Sequence, residues 1–215
     1  MNATELLTDV AVIVAGYLLG AVPIGLIVAR WQRGIDIRRY GSGSTGATNV
    51  LRALGWRASL AVLIGDCLKT IIPVYLAWQL TGNAWVESIT AVVAIAGHCW
   101  SPYSGWRGGR GASSSFAALL VIQPPVAIAS FVVAGVTVAL TRYMSVASIL
   151  GTAFGGIVMA WLVLHGSVPL GDIVYTIGSP AIVFIRHREN VARLLAGTER
   201  KFGLKSDSAA GKAPT

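Results

Sequence analysis

The feature that most constrains the fold of this chain is a series of seven apolar segments. They lie at about 10–29, 58–80, 86–101, 112–123, 126–140, 146–164 and 171–185. Over the whole chain 54% of residues are apolar and 12% are charged, against about 25% charged residues in an ordinary soluble domain. The apolar runs are continuous and do not alternate with polar residues, which argues against a β-barrel. The sequence therefore predicts an all-α, polytopic membrane helix bundle.

The lengths of the segments predict about seven transmembrane helices. A helix needs about 20 residues to cross the hydrocarbon core, and the first, second and sixth segments meet that length. The third, fifth and seventh segments are shorter, and the fourth carries three consecutive serines from Ser113. The fourth and fifth segments could form a hairpin that turns at residues 123–125. Five long spans with re-entrant segments are the alternative.

Basic residues predict the orientation of the bundle. With seven spans and the N-terminus outside, 16 of the 17 Lys and Arg residues fall on the inner side, and the outer connections hold none. The remaining one, Lys69, lies inside the second span. We therefore expect an outside N-terminus and a cytoplasmic C-terminus. The inner-side residues are Arg30, Arg33, Arg38, Arg39, Arg52, Arg57, Arg107, Arg110, Arg142, Arg186, Arg188, Arg193, Arg200, Lys201, Lys205 and Lys212.

The net charge of +8 would suggest a nucleic-acid partner in a polar chain. In a membrane chain it reflects topology and anionic ligands instead, so we expect membrane lipids, and no nucleic acid, as partners. Residues 1–203 are expected to form a single integral membrane domain. The small, polar residues 204–215 are expected to form a disordered cytoplasmic tail. No disulfide is expected between Cys67 and Cys99, since both lie in or near spans.

The first of three polar blocks on the inner side runs from Gly41 to Arg52. Its sequence, GSGSTGATNVLR, contains the pattern G-x-G-x-x-G. A dinucleotide-binding fold would need an apolar strand just before it, and the polar residues 38–40 exclude that fold. Closely spaced glycines still let several backbone N–H groups converge on one anion, and Arg52 adds a fixed charge. The block predicts a phosphate site, with a flexible polar loop as the alternative.

The second block runs from Gly97 to Gly111 and ends in RGGRG at the start of a predicted helix. Backbone N–H groups, the helix dipole and the guanidinium groups of Arg107 and Arg110 would all point at a phosphate there. The alternative is a turn that carries positive-inside charge. His98, near the beginning of the block, is either a buried, hydrogen-bonded histidine or a catalytic group.

The third block runs from Arg186 to Glu199. At 3.6 residues per turn, His187, Asn190 and Leu194 share a helix face, which predicts that an imidazole and an amide face one ligand. The alternative, compatible with the first, is an amphipathic helix at the lipid surface.

Two charges inside the second span and one further serine complete the set. Asp66 and Lys69 are three residues apart and lie on one helix face. An unpaired charge in a membrane costs roughly 2.5 to 3.5 kcal/mol, so we expect these two to pair with each other or with a loop. Direct contact with a substrate is the alternative. Ser145, in a further inner connection, could donate to a phosphate.

Several common catalytic arrangements are missing from the sequence. It has no metal-ligand spacing, no carboxylate cluster for Mg²⁺ and no G-x-S-x-G nucleophile elbow. No histidine is followed by Asp in the His-x4-Asp spacing of the soluble-faced glycerolipid acyltransferases. We therefore expect no cofactor and no metal, and a chemistry in which a reactive substrate is bound and oriented.

Taken together, the three blocks resemble those of the bacterial acyl-phosphate-dependent glycerol-3-phosphate acyltransferases, the PlsY family. The first block is similar to the family's GSGNPGATNVLR, the second to its Gly-His block ending in GGKG, and the third to its block of Arg-His, Asn and Arg-Leu. The pair Asp66 and Lys69 also matches the family's second span. The resemblance covers nearly the whole chain, in the same order.

The resemblance implies a multi-pass enzyme of the bacterial inner membrane with its active site facing the cytoplasm. Such an enzyme transfers a fatty acyl group from acyl phosphate to the 1-hydroxyl of glycerol-3-phosphate, giving lysophosphatidic acid and phosphate. Acyl phosphate and glycerol-3-phosphate would be its ligands, and the enzyme that supplies acyl phosphate is a further partner to consider. In the family the donor phosphate is thought to deprotonate the hydroxyl, which requires neither a metal nor an acyl-enzyme.

Site residues follow from the resemblance by position. The first block would hold the acyl phosphate, while Arg52, Arg110 and the third block would hold glycerol-3-phosphate. The implied catalytic residues are Ser42, Asn49, Arg52, His187 and Asn190. The implied substrate-binding residues are Gly43, Gly46, Thr48, Lys69, His98, Arg107, Gly109, Arg110, Gly111, Ser145 and Arg186.

The sequence departs from the family pattern at four places. Ser44-Thr45 stands for Asn-Pro, Arg110 for Lys, Ala112-Ser113-Ser114 for a more apolar stretch, and Val146 for a second Ser. An arginine fork and a lysine point charge are not interchangeable, and either Arg107 or Arg110 could do the work of the family lysine. The rival class of protein is a small membrane transporter or channel for a phosphorylated metabolite. It would need polar residues from both sides, yet the outer connections at 81–83 and 123–125 hold no basic residue.

Overall fold

The computed structural model describes residues 2–203, and within that range the chain forms ten α-helices and no β-strand. The expected disordered tail, residues 204–215, lies outside the described residues. Short 3-10 turns lie at Ile37–Arg39, Pro102–Ser104 and Leu170–Asp172. The helices are α1 (Ala3–Gly20), α2 (Ile24–Arg33), α3 (Ala47–Leu54), α4 (Trp56–Thr81), α5 (Ala84–Cys99), α6 (Ala112–Ile122), α7 (Pro124–Thr141), α8 (Met144–Leu164), α9 (Ile173–Arg186) and α10 (Arg188–Leu195).

The seven apolar segments correspond to the α1–α2 pair and to α4 through α9. Four stretches are long and apolar enough to cross a membrane by themselves, namely Ala3–Arg33, α4, α7 and α8. Large apolar side chains cover the outside of the bundle, such as Leu7 (70% exposed) and Leu164 (80% exposed). A soluble surface rarely carries so continuous an apolar belt, whereas lipid covers it at no cost. The expected class, a polytopic helical membrane bundle, is confirmed.

The sequence suggested one continuous helix for the first apolar segment. In the structure the chain breaks there, between α1 and α2. Pro23 has no N–H to donate and cannot continue the hydrogen-bond ladder. The break frees carbonyl oxygens inside the bundle, where each needs a donor. Ser101 Oγ donates to the carbonyl of Ala21 at 2.5 Å, and Lys69 Nζ donates to that of Val22 at 2.8 Å.

Small residues let α1 and α5 approach closely. A Cβ atom at Gly20 would collide with the backbone of Ala94, and one at Gly97 would collide with the carbonyl of Tyr17. Tyr17 also donates its hydroxyl to the carbonyl of Trp100, at 2.9 Å. Glycines at helix contacts are how membrane helices gain dispersion contacts without a hydrophobic driving force between them. The contact fixes the start of the second block against α1.

Two apolar cores hold the polar blocks in place. The larger one joins α4 through α9 and includes Ile95, Leu119 and Met159. The smaller one joins α2, α3 and the start of α4 through residues such as Ile37 and Val50, both fully buried. The turn from α6 to α7 falls at residue 123, where the sequence predicted a hairpin. Helix α6 has only 11 residues and packs against both α4 and α7.

Candidate active site

One cavity of about 550 Å³ brings the three polar blocks together at one end of the bundle. Of the sixteen site residues named from the sequence, ten line this cavity: Ser42, Gly46, Thr48, Asn49, Arg52, His98, Arg110, Gly111, Ser145 and His187. The other six are not part of its lining: Gly43, Lys69, Arg107, Gly109, Arg186 and Asn190. The ten span more than 140 positions of sequence, so the fold and not local spacing assembles the site.

In the first block, Asn49 holds the loop in shape. Its Oδ1 accepts from the backbone N–H of Ser42 at 2.9 Å, and its Nδ2 lies within hydrogen-bond distance of three loop carbonyls, the nearest being that of Ser44 at 2.8 Å. The side chain is 2% exposed. These contacts use the whole amide, so they favour a positioning role for Asn49 over the direct phosphate contact expected from the sequence.

Glycine amides in the first block are also used within the loop. The N–H of Gly43 donates to the carbonyl of Tyr40 at 3.0 Å, and that of Gly46 to Ser44 Oγ at 3.2 Å. The expected cradle of Gly43 and Gly46 amides is therefore replaced by another set of donors. The second half of the block forms α3, whose N-terminus has no side-chain cap, leaving the first-turn amides of Ala47 and Thr48 without an intrahelical acceptor. Both residues line the cavity.

Two arginines supply the positive charge of the cavity. Arg52, on α3, and Arg110, in the second block, both line it, and neither guanidinium has a hydrogen bond or an ion pair with any residue between 2 and 203. Burial lowers the pKa of Arg110 to about 10, so the group stays cationic at neutral pH, and burial likewise lowers the pKa of Arg52. A half-buried cation without a protein partner is costly, because part of its hydration is lost, and an anionic ligand would offset that cost.

The second block turns around His98, which lies on the last turn of α5. The N–H groups of Gly108 and Gly109 donate back to the carbonyls of Cys99 and His98, at 3.2 and 2.9 Å. A Cβ atom at Gly109 would collide with the His98 ring, so only glycine fits against the imidazole. These two amides thus shape the block, and His98, Arg110 and Gly111 are its residues that line the cavity.

The two remaining arginines of these blocks lie elsewhere. Arg107 is exposed, and its carbonyl accepts from Ser104 Oγ at 2.9 Å. Arg186 donates from Nε to the carbonyl of Gly109 at 3.1 Å and places its guanidinium 5.5 Å from the ring centre of Trp100. Arg107 and Arg110 were the two candidates for the role of the family lysine, and Arg110 is the one that lines the cavity. Arg186 lies outside the lining and stabilises the second block through its hydrogen bond to Gly109.

Asp66 and Lys69 form a buried ion pair with a third member. Lys69 Nζ lies 2.8 Å from Asp66 Oδ1, and both side chains are less than a tenth exposed. His98 Nδ1 lies 3.5 Å from the same carboxylate oxygen. With its contact to Val22, Lys69 thus joins the helix break, the second span and the second block. Pairing, one of the two roles expected for these charges, is what the structure shows.

The third block does not lie on one continuous helix, because α9 ends at Arg186 and α10 begins at Arg188. His187 at the junction is 2% exposed, and its Nδ1 lies 2.8 Å from the carbonyl of Val183. A carbonyl can only accept, so Nδ1 carries the proton and Nε2 is an acceptor. Burial lowers the pKa of His187 to about 4, which keeps the ring neutral at physiological pH.

Glu199 is a cavity residue that sequence reasoning placed in the third block without assigning it a role. Its Oε1 accepts from Asn190 Nδ2 at 2.6 Å and from Ser145 Oγ at 2.8 Å, while its Oε2 accepts from Arg193 Nε at 2.7 Å. The side chain is 7% exposed. Desolvation opposes ionisation here, but these hydrogen bonds prevail and the pKa of Glu199 is lowered. The only sequence feature that could have indicated this role is the presence of an acidic residue within the third block, nine positions after Asn190.

Away from the charged end, the same cavity continues between apolar side chains. Phe116 and Leu119 of α6, Phe131 and Val138 of α7, and Gly151 of α8 line this part. Phe131 is 64% exposed on the lipid-facing side. One continuous space therefore joins an anion-binding end to an apolar groove. Residues 2–203 contain no group of three or more His, Cys, Asp or Glu side chains placed to hold a metal ion.

The chain is similar to proteins of one family over most of its length. The family model described as glycerol-3-phosphate acyltransferase matches residues 10–197. A glycerol-3-phosphate acyltransferase of Rubrobacter xylanophilus is 39% identical over 198 residues, which cover 92% of this chain and 97% of that protein. One from a Synechococcus species is 42% identical over 200 residues, covering 93% of this chain and 98% of that protein.

Solved structures agree with these matches. PlsY, described as an integral membrane glycerol 3-phosphate acyltransferase, superposes in its glycerol 3-phosphate form with a TM-score of 0.84 and 33% identity, covering 91% of this chain and 96% of that one. Its lysophosphatidic acid form gives a TM-score of 0.82. Fold and cavity define a multi-pass membrane protein in which a cationic pocket opens into an apolar groove. The chain belongs to the glycerol-3-phosphate acyltransferase family, with PlsY among its structural relatives.

Proposed function

We propose that this protein transfers a fatty acyl group from acyl phosphate to the 1-hydroxyl of glycerol-3-phosphate, releasing lysophosphatidic acid and inorganic phosphate. The observation that carries the proposal is one cavity in which two arginines without a hydrogen bond or ion pair to residues 2–203 face an apolar groove. Acyl phosphate has an anionic head and an apolar tail, and glycerol-3-phosphate adds a second phosphate. Relatives that are 39% and 42% identical over most of the chain are described as glycerol-3-phosphate acyltransferases, which supports the same acceptor here.

Each wall of the cavity has a part in this reaction. Arg52 and Arg110 would neutralise substrate phosphate, and the first-turn amides of α3 would add donors without a net charge. The acyl chain would lie along Phe116, Leu119 and Phe131. Its burial contributes about 0.8 kcal/mol for each CH₂ group, so a long chain binds firmly without specific contacts.

The reaction needs no covalent intermediate on the enzyme. Acyl phosphate is a mixed anhydride, and phosphate is already a good leaving group. The oxygen of the 1-hydroxyl forms a bond to the acyl carbon, the bond from that carbon to the phosphate oxygen breaks, and the hydroxyl proton passes to the departing phosphate. The proposed work of the enzyme is to align the two substrates and to stabilise the oxyanion that develops. No step is assigned to a metal ion.

We further propose that the protein lies in the bacterial inner membrane with its N-terminus outside and the cavity facing the cytoplasm. The lopsided distribution of Lys and Arg supports this orientation, because basic residues stay preferentially on the cytoplasmic side.

The proposed reaction can be tested with purified protein and labelled glycerol-3-phosphate in the presence of EDTA. Acyl phosphate should give labelled lysophosphatidic acid, and acyl-CoA should give none. If neither donor gives product with folded protein, the proposed function is wrong. If acyl-CoA alone gives product, the proposed donor is wrong.

A further inference from the structure

The fourth apolar segment carries three consecutive serines, and the proposed reaction gives none of them a role. One of them, Ser115 on α6, is 2% exposed and lines the main cavity beside Phe116. Tyr175 of α9 lines the same cavity and is also buried, and Ser179, one turn further along α9, is fully buried. Hydroxyl groups from two helices therefore meet in the part of the bundle where the cavity is otherwise apolar.

The three hydroxyl groups are bonded within one cluster. Tyr175 donates its hydroxyl to the backbone carbonyl of Ser115, at 2.8 Å. The Oγ atoms of Ser115 and Ser179 lie 2.5 Å apart, so one of the two serines donates to the other. Ser115 Oγ is also 3.4 Å from the Tyr175 oxygen, which is beyond the usual range of an O–H···O bond. We call Ser115, Tyr175 and Ser179 the hydroxyl cluster.

The hydroxyl cluster has more hydrogen-bonding capacity than its members use. Of its three protons, that of Tyr175 goes to a carbonyl and one serine proton goes to the other serine. The remaining serine proton has no acceptor at a normal distance among residues 2–203. If Ser179 donates, Ser115 keeps a free proton, and if Ser115 donates, it keeps free lone pairs. A ligand hydroxyl, which both donates and accepts, matches Ser115 in either arrangement.

Other serines that line the cavity differ from Ser115 in this respect. Ser130 on α7 donates to the carbonyl of Val126 at 2.7 Å, and Ser148 on α8 donates to that of Met144 at 2.9 Å. Each of these bonds runs back four residues within the same helix, which uses the proton locally. Ser115 is bonded instead across to α9, so its hydroxyl belongs to a group that faces the cavity.

Two helices give the distance of the hydroxyl cluster from the charged end of the cavity. Ser115 lies four residues after Gly111, and Ser179 lies eight residues before His187. At 1.5 Å per residue these separations are about 6 and 12 Å along the helix axes. An extended chain advances about 1.2 Å per bond, which places the cluster roughly five to ten bonds from the charged end. It therefore faces the middle of a long acyl chain.

We propose that Ser115, Tyr175 and Ser179 form a specificity site for fatty acyl donors that carry a hydroxyl group near the middle of the chain. The inference rests on the proposed function and deepens it, because it names a class of donor for the apolar groove. A mid-chain hydroxyl loses water when it enters the groove and regains a partner at Ser115. The same hydroxyl further along the groove lies unpaired among apolar side chains, which is unfavourable.

Acyl phosphates that differ only in the position of one hydroxyl test this inference. Octadecanoyl phosphate and its 7-, 10- and 15-hydroxy derivatives would be given to purified wild-type protein with labelled glycerol-3-phosphate. The measured quantity is kcat/KM for each derivative divided by kcat/KM for octadecanoyl phosphate. We expect the 7- or the 10-hydroxy donor to exceed the 15-hydroxy donor by about tenfold, which corresponds to roughly one hydrogen bond.

Three variants separate recognition from a purely structural role. Ser115→Ala should remove the preference for the mid-chain hydroxyl. Ser179→Ala should keep it, because Ser115 then retains both its proton and its lone pairs. Ser130→Ala is the matched control on α7 and should also keep it. A purely structural cluster would give lower unfolding midpoints for Ser115→Ala and Ser179→Ala alike, with the wild-type ratios preserved.

The outcomes distinguish this inference from the proposed function. If the wild type uses octadecanoyl phosphate but shows no preference among the hydroxy donors, or if folded Ser115→Ala keeps the preference, the inference is wrong. If the wild type makes no lysophosphatidic acid from octadecanoyl phosphate, the proposed function itself fails. Should Ser115→Ala not fold, Ser115→Cys must show the same loss, because a thiol keeps the size but bonds weakly. A mid-chain preference that is lost at Ser115 and kept in Ser179→Ala supports the specificity site.

Discussion

At the scale of single residues, the structure distinguishes Arg110 from Arg107, the two candidates for the family lysine. Within residues 2–203 Arg110 has no hydrogen bond or ion pair and lines the cavity, whereas Arg107 is exposed and outside the lining. We expect Arg110→Ala to lower turnover by at least about tenfold, a loss of roughly 1.4 kcal/mol of transition-state stabilisation. Arg110→Lys should recover part of it, because the charge remains while the fork is lost. Steady-state kinetics would check this, and Arg107→Ala is the matched control that should stay fully active.

His187 gives a prediction on the pH dependence of stability. Burial lowers its pKa in the folded protein to about 4, from 6.5 for the free side chain. The unfolded chain therefore takes up this proton first as the pH falls, and stability is lost progressively between about pH 6.5 and pH 4. The full difference amounts to about 3 kcal/mol. Thermal unfolding of wild type and His187→Gln should diverge only within that window, and a constant difference between them from pH 8 to pH 4 would contradict the assignment.

Residue types in the sequence indicated which side chains to examine, but not what they touch. The Gly-rich pattern and Asn49 pointed to a phosphate loop, yet the amide of Asn49 is used by the loop itself. Asn190 is likewise 1% exposed and donates to Glu199. A side-chain amide can form hydrogen bonds either with a ligand or with nearby backbone groups, and the tertiary packing determines which of the two it does. Glu199 was overlooked as a site residue for the same reason, since its partners come from two distant parts of the chain, the start of α8 and α10.

At the scale of elements, a buried cation helps to stabilise the break between α1 and α2. Lys69 donates to the carbonyl of Val22 and pairs with Asp66 inside the bundle. Lys69→Met removes the nearer of the two partners of the buried Asp66 carboxylate, and breaking a buried ion pair in this way typically costs about 3–5 kcal/mol. We expect a large drop in the unfolding midpoint for this variant and a smaller one for the double variant with Asp66→Asn, which removes both charges. Equal losses in the two variants would contradict the pairing.

The sequence predicted which segments form helices better than it predicted where those helices begin, break and end. Each of the seven apolar runs corresponds to a helix or helix pair, and four of these stretches are long and apolar enough to cross a membrane by themselves. Hydropathy and length locate such helices because a bilayer selects for both. The break at Pro23, the helix α3 and the junction at His187 were not foreseen. Each depends on tertiary partners that satisfy broken backbone, such as Ser101 for the carbonyl of Ala21, and periodicity does not report such partners.

At the scale of the whole molecule, orientation is the property that follows most directly from charge. With the cavity facing the cytoplasm, the connection before α9 lies outside. Leu170 in that connection is 66% exposed, so Leu170→Cys should react with a membrane-impermeant maleimide in intact cells. Arg39→Cys, exposed near the first block, should react only after the membrane is permeabilised. The reverse pattern would contradict the proposed topology.

The assembly of three distant blocks into one cavity is the central feature of the molecule. The sequence predicted that the blocks share one side of the membrane, because they fall in alternate connections between spans. It did not predict that an apolar groove continues from the charged end. That groove depends on how α6, α7 and α8 pack, which apolar composition leaves undetermined.

The most direct test of the central claim is to remove one charge from this cavity and measure acyl transfer. The measurement is the rate of lysophosphatidic acid formation from acyl phosphate and labelled glycerol-3-phosphate by wild type, Arg52→Ala and Arg57→Ala. Arg52 lines the cavity and has no hydrogen bond or ion pair with residues 2–203, while Arg57 is exposed at the start of α4. We predict that Arg52→Ala lowers the rate by at least about tenfold with an unchanged unfolding midpoint, and that Arg57→Ala keeps the wild-type rate. A wild-type rate in folded Arg52→Ala would contradict the assignment of this cavity as the active site.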